Sequence, residues 1–520
     1  MHGEIVEKLS GNILDKLISI ASTSSDHPAL IDPYAANGSK YRSFDELYTD
    51  VAIVAYRMRE KGIRVGDRVL IFIPYTYELF VVLLAVTYSG AVAVFADIAA
   101  HGDMINQVCL SAKPRAFIGI LASFALMKNS QLRRVPIKLW HKSLLSGRKP
   151  TSPKMDTVPV DSESSALFTF TSGTTGNPKA ADRSHAFLWR QHKVLAAHQH
   201  FDRDEVDLTL WPVFALSNLV QGVTSVIPHF NSRKPGSAKP EVIHRQIVDS
   251  KVTAMTGPPI FFEHLAEYWQ TRTPPETLKR ASVGGAPVFP ALAQKLVQVL
   301  GDRSLEAIYG STEAEPMTSL TLAKLAEDAT FGGVPVGEPL PETTLRIMAE
   351  IETASNSLGR VAEEGDSGEI VVAGPHVLDR YFQSDEDYKL TKVHAEGRLW
   401  HRTGDIGYLK GGKVTLLGRL AFGIKAGEKT VYSFPFEKRM KQEPDVIRSA
   451  LVGSKGNAAG FVQLRKKTRN LRVAEIEAIA RDTLEKLDLP AARIIANTVE
   501  IPTDKRHNSR IEYATLLRQV

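Results

Sequence analysis

Phe168-Thr-Phe-Thr-Ser-Gly-Thr-Thr-Gly-Asn-Pro-Lys179 is the stretch on which the reading of this chain turns. Ala166–Phe170 is a short apolar, aromatic run of strand type, and it passes directly into small hydroxyl residues and glycines. Glycines allow backbone N–H groups to turn toward an anion, hydroxyls add donors, and a lysine adds a point charge. Thr171, Ser172, Gly173, Thr174, Thr175, Gly176 and Lys179 are therefore expected to cradle a polyphosphate. The spacing is not that of the G-x-x-x-x-G-K-[ST] loop, and an ordinary Ser/Thr/Gly turn is the competing reading.

Outward from this loop, strand-like runs alternate with helical stretches: Val69–Ile73, Ala91–Phe95, Ala116–Ile120, Val252–Thr256 and Arg280–Gly285. Such alternation predicts an α/β body with largely parallel sheets to about residue 320. Leu79–Ala96 runs eighteen residues without a charge, long enough to raise a membrane span. It divides, however, into a helix ending at Gly90 and a short β-rich run ending at Asp97, which is the β-α-β pattern of a buried core. No integral membrane span is expected.

The chain has 520 residues, 43% of them hydrophobic and 23% charged. That is too much for one hydrophobic core. Cys109 is the only cysteine, which excludes an intramolecular disulfide framework and a thiolate zinc cage and suits a reducing cytoplasm. The first twelve residues carry two glutamates and no long apolar core, so a signal peptide is not expected. Residues 401–520 hold 23 Lys and Arg against 13 Asp and Glu, while the other 400 residues hold 41 against 45. A basic lobe on a near-neutral body suits an anionic ligand. Nucleic acid is disfavoured, because no stripe of alternating basic and aromatic residues occurs. His198 and His200 form a His-x-His pair with no third ligand at metal spacing, and read as a surface pair.

Further motifs follow the loop in order. They are Gly284-Gly-Ala-Pro287, Tyr309-Gly-Ser-Thr-Glu313, Trp400-His-Arg-Thr-Gly-Asp-Ile-Gly-Tyr408 and Gly418-Arg419. Together with the loop they resemble the adenylate-forming superfamily of acyl-CoA ligases, peptide-synthetase adenylation domains and luciferases. The resemblance implies ATP and Mg²⁺ as cofactors and activation of a small-molecule carboxylic acid as acyl-AMP with release of pyrophosphate. By the same resemblance Gly285, Ala286 and Pro287 line the adenine pocket, Tyr309 lies against adenine with Gly310 and Ser311 beside it, and Thr312 contacts the α-phosphate. Glu313 holds Mg²⁺, Asp405 accepts the ribose hydroxyls, and Arg419 lies near ribose and phosphate. The implied architecture is a large N-terminal α/β body, residues 1–419, with β-sheets flanked by helices, joined by a hinge to a small C-terminal α+β lid domain, residues 420–520.

Three segments, Trp211–Pro228, Tyr309–Pro316 and Pro502–Ile511, look more like olefin β-lactone synthetases than typical CoA ligases. In that branch a β-hydroxy acid is adenylated and its own hydroxyl closes the lactone. An acyl-CoA or acyl-carrier ligase, and a catalytically weak nucleotide- or acyl-binding member, are the alternatives; a partner within a multienzyme biosynthetic complex is compatible with each. Arg510 stands where the family carries its C-terminal catalytic lysine, and Lys505 is the second candidate for that role. Ala421 replaces an acidic or lysine hinge residue, and Ile424-Lys-Ala-Gly427 is one residue short of the usual spacing; both disfavour the domain rotation that admits coenzyme A. Phe214, Leu216, Asn218, Val220 and Met317 are the expected acyl pocket, with plain core as the competing reading.

Overall fold

The computed structural model describes residues 11–34, 41–96, 102–146, 157–172, 178–230, 235–352, 357–454, 457–504 and 509–520. The chain divides into two compact units. The first is Met1–Thr256 with Pro275–Lys279 and Pro375–Leu390, and the second is Gly257–Pro274, Arg280–Gly374 and Thr391–Val520.

The first unit contains a six-stranded sheet in the order Ile137–Trp140, Ala116–Gly119, Arg68–Phe72, Val92–Phe95, Ser165–Ser172, Pro178–Ser184. Its first five strands are parallel, and the last is antiparallel. Leu70 lies opposite both Val94 and Phe117, so the central strand is buried on either side as its unbroken apolar run requires. The eighteen-residue uncharged stretch resolves into the helix Tyr77–Tyr88, buried almost all round, and the strand Val92–Phe95. A twelve-residue helix reaches about 18 Å, short of a ~30 Å hydrocarbon layer. Among the described residues no helix is long and apolar enough to cross a membrane. Gly90 ends the turn after this helix at φ +68°, and a Cβ there would lie 2.9 Å from Val160 Cγ1. Both facts select glycine. Val206–Thr209 lies between Ala254–Gly257 and Thr224–Val226, all parallel.

In the second unit Arg280–Val283 pairs parallel with Ser304–Ser311. Every later pairing of that sheet, through Ala314–Thr321, Val334–Pro339, Lys413–Arg419, Arg398–Lys410, Gly368–Ala373 and Thr344–Ile351, is antiparallel. The parallel pattern thus stops at residue 311, earlier than the sequence suggested, because Thr312-Glu313 is a tight connection that turns the strand back on itself. Beyond Ile424 the chain builds its own core. Val446–Ser454 and Asn457–Leu464 pair antiparallel, Arg493–Asn497 adds in parallel, and Phe436 and Met440 cluster with Ile476 and Leu484 of the helix Asn470–Lys486.

Candidate active site

The strand Ser304–Ser311 carries Tyr309 to the wall of a cavity of about 310 Å³ in the second unit. Tyr309 Oη donates to Asp405 Oδ2 at 2.8 Å, and Arg419 Nη1 donates to Asp405 Oδ1 at 2.8 Å. One carboxylate therefore ties an aromatic phenol to a guanidinium. The pairing is a matter of register: Arg398–Lys410 and Lys413–Arg419 form a hairpin that places Asp405 directly opposite Arg419. Burial, and then the Asp405 charge, push the Tyr309 phenol well above its ordinary value, so it stays a donor. The Asp405 charge is likewise the main cause that raises Arg419. Beneath this pair Glu369 accepts from Arg402 Nη2 at 2.7 Å and from Gly404 N at 3.2 Å, fixing the turn that presents Asp405.

Gly285, Ala286, Pro287, Gly310 and Ser311 line the same cavity, as do Asp405, Arg419 and Arg510. The exposed Arg510 donates from Nε to the Gly285 carbonyl at 2.6 Å, 225 residues away in sequence. Asp504 Oδ1 holds the Arg510 N–H at 2.8 Å and the Ser509 N–H at 3.3 Å. Lys505 lies outside the described residues. Thr312 and Glu313 form the adjoining hairpin end, where the Glu313 N–H donates to Ser311 Oγ at 3.3 Å. The Glu313 side chain is buried, and its charge is among those acting on Arg419.

Sequence reasoning missed Glu437, which also lines this cavity. It is buried, accepts from Tyr513 Oη at 2.6 Å and contacts Ser433 Oγ. Burial pushes its carboxyl up to about 7 against the opposing pull of those hydroxyls and of Lys441. The available signal was an acid set between Phe436 and Met440 in the short helix Phe434–Met440.

In the first unit, Thr171 and Ser172 lie opposite Lys179 and Pro178 in an antiparallel pair. Gly173, Thr174, Thr175 and Gly176 lie outside the described residues. Lys179 Nζ donates to Tyr381 Oη at 3.3 Å and sits 4.8 Å from that ring's centroid. Tyr381, which the sequence reading did not single out, holds the lysine by a cation–π contact as well as a hydrogen bond.

Of the expected acyl-pocket residues, Leu216 and Val220 line a cavity together, and Phe214, Asn218 and Met317 line neither that one nor the cavity around Tyr309. Phe214 and Asn218, four apart, fall on one face of the helix Pro212–Gln221, and Leu216 and Val220 fall on another. Leu216 and Val220 line an apolar cavity of the first unit. Asn218 is fully buried, giving Nδ2 to Asp207 Oδ2 at 2.7 Å and to Ser225 Oγ at 3.0 Å. Met317 is buried in the second unit and is not among the residues lining either cavity.

In the second unit a buried phenol, a guanidinium and a carboxylate thus meet on the wall of one cavity. Comparison with known proteins gives the class: residues 19–382 match the AMP-binding enzyme family, to which the chain belongs, and it is an adenylate-forming ligase. An olefin beta-lactone synthetase of Xanthomonas campestris pv. campestris is 28% identical over 96% of both chains. Another, from Stenotrophomonas maltophilia, is 31% identical over 75% of both. The O-succinylbenzoate coenzyme A synthetase of Bacillus subtilis, solved in complex with ATP and magnesium ion, superposes with a TM-score of 0.80 at 19% identity, covering 98% of this chain and 99% of that one, and shows the shared fold.

Proposed function

We propose that the protein adenylates a β-hydroxy fatty-type acid and closes the acyl adenylate to a β-lactone, with release of AMP. The observation that carries the nucleotide part is the convergence of Tyr309, Asp405, Arg419 and Arg510 with the Gly285–Pro287 turn on one cavity. The lactone part is supported by similarity to two proteins named olefin beta-lactone synthetases. In the first step an oxygen of the acid bonds to the α-phosphorus of ATP and the bond to pyrophosphate breaks. Two anions meet there, so the protein's contribution is charge neutralisation and alignment by cations such as Arg419 and Arg510. Asp405, already an acceptor for two donors, suits a ribose diol. In the second step the substrate's hydroxyl oxygen bonds to the acyl carbon, AMP leaves, and the hydroxyl proton is lost to solvent. That step needs no further substrate, only a bound conformation that brings oxygen to carbon.

Glu313 fits a magnesium site. Mg²⁺ is commonly held by one or two carboxylates, keeping its remaining positions for water and phosphate oxygens. Glu313, buried at the hairpin end where its N–H donates to the cavity-lining Ser311, offers one such carboxylate. Bound there, the ion would neutralise phosphate charge. Residues 420–520 act in this reading as the small lid domain that delivers Arg510.

The test is mass spectrometry of the products from a β-hydroxy acid, ATP and Mg²⁺ without coenzyme A. The expected result is AMP and a product lighter than the acid by one water. A thioester formed only with coenzyme A would assign the chain to the acyl-CoA ligases instead, and ATP binding with no pyrophosphate release over a broad acid panel would make it a binding protein. Arg510→Ala is expected to slow carboxylate-dependent pyrophosphate release about 100-fold, the scale of one lost charge-stabilising donor. Arg510→Lys should restore much of that loss, because the cation persists while only the fork geometry is lost. Coupled phosphate detection would read both.

A further inference from the structure

Arg510 lies in neither a helix nor a strand. It stands in a short antiparallel ladder where Thr503 lies opposite Ile511, Asp504 N donates to Arg510 O at 2.8 Å, and Glu512 N donates to Pro502 O at 2.9 Å. Its exposed side chain reaches the Gly285 carbonyl from there. A cation on so long a stem aligns a reaction only when its base is fixed, because about 1 Å of misplacement can cost ~100-fold in rate.

The next helix, Tyr513–Leu517, opens on the buried Tyr513. The Tyr513 ring lies 5.2 Å from that of Phe422, just beyond Arg419, and its Oη donates to Glu437 Oε1 at 2.6 Å. Ser433 Oγ meets the same carboxylate oxygen and accepts from the Leu451 N–H at 3.3 Å, so the strand Val446–Ser454 braces the acid too. Glu437, Tyr513 and Phe422 line the same cavity as Arg510. The charges acting on this pair are those of Lys441, on Glu437, and Arg419, on Tyr513. Burial makes an acid costly at this position, and packing alone would select an apolar side chain. Either protonation state leaves Oε1 able to accept from the phenol, so the link holds on both sides of the Glu437 titration.

We propose that Glu437 is a positioning residue: through Tyr513 it anchors the ladder that carries Arg510 and so holds that cation at the cavity wall. Asp504 Oδ1, which takes the Arg510 and Ser509 N–H groups, is a second anchor, so losing the first loosens the arginine without freeing it. The inference rests on the reading that gives Arg510 a part in adenylation.

Two measurements on the full chain test it: pyrophosphate release with 3-hydroxydecanoic acid, ATP and Mg²⁺, and amide hydrogen exchange of Ser509–Tyr513 by mass spectrometry. Tyr513→Phe and Glu437→Leu are expected to lower kcat about tenfold and to move KM for ATP less than about twofold. Both should speed the exchange at least about fivefold. Tyr513→Phe removes a single oxygen and is expected to fold even where Glu437→Leu does not. Glu437→Gln keeps an oxygen that accepts from Tyr513 and should stay within about twofold of wild type in both measurements. In an Arg510→Ala background, Tyr513→Phe should cost less than about twofold, because the group it positions is gone. A change that merely lowered the folded fraction would multiply the two losses in full.

Full multiplication of those losses would overturn the proposal, as would wild-type kcat in Tyr513→Phe and Glu437→Leu while Arg510→Ala is slow. Arg510→Ala at the wild-type rate, or no release by the wild type, would instead be a failure of the adenylation role. Faster exchange in the two variants would then uphold the anchor, and unchanged exchange would overturn it.

Discussion

Asp405→Ala is expected to lower kcat/KM for carboxylate-dependent pyrophosphate release by about 1000-fold, or about 4 kcal/mol. The size follows from the number of interactions that meet at this carboxylate. Tyr309 and Arg419 each donate to a different oxygen of Asp405 at 2.8 Å, so the substitution removes the acceptor from a buried phenol and from a half-buried cation at once. It also removes the group that would receive ribose hydroxyls. Asp405→Asn should fall between, at about 100-fold: its carbonyl oxygen can still accept from Tyr309, but its amide hydrogens face a guanidinium that only donates. Pyrophosphate-release kinetics check the rate, and an unchanged melting temperature separates a lost site from a lost fold. A loss under tenfold for Asp405→Ala would remove this carboxylate from the machinery.

Asp207→Asn is expected to raise stability relative to wild type by about 3 kcal/mol more at pH 8 than at pH 5. Asp207 is fully buried between parallel strands, and burial pushes its carboxyl up to about 7 despite the Asn218 hydrogen bond. The folded chain therefore holds this proton more tightly than the unfolded chain does. The stability it contributes is complete below the unfolded value near 4 and is lost as pH rises through about 7. A proton also supplies a donor where Asp207 Oδ1 and Asn218 Oδ1 have none among the described residues. Asparagine keeps the oxygen that Asn218 Nδ2 needs and carries no charge to desolvate. Glu437→Gln should behave in the same direction, for the same reason. His185 and His192, pushed down to about 4 by burial, impose an opposite pH trend on the whole protein. They cancel in the difference between wild type and variant, so paired scanning calorimetry at the two pH values is the measurement. A difference no larger at pH 8 than at pH 5 would mean that Asp207 is ionised without penalty.

Some of this was written locally. The helix Tyr77–Tyr88 and the strand Val92–Phe95 follow from an apolar run broken at Gly90, because periodicity and a glycine stop act within a few residues. The opposition of Asp405 and Arg419 was also legible in principle. Lys410-Gly-Gly-Lys413 is a two-residue hairpin turn whose glycines both have positive φ, and counting back along the strands, with one bulge after Ile406, brings the two residues together. The acyl-pocket residues were not legible in this way. Phe214, Leu216, Asn218 and Val220 look alike as a list, yet helical phase sends Asn218 to Asp207 and Leu216 to a cavity.

The sequence by itself determined the class of chemistry, since a glycine-and-hydroxyl loop ending in lysine and an acid after Tyr-Gly-Ser-Thr are chemical statements wherever they fold. Only the tertiary structure decided which groups act together: Tyr309 with Asp405 across 96 residues, Glu437 with Tyr513 across 76, Arg510 with the Gly285 carbonyl across 225. Apolar periodicity fixes which face of an element turns inward, but the partner met there depends on sheet register and helix packing, which no local window contains.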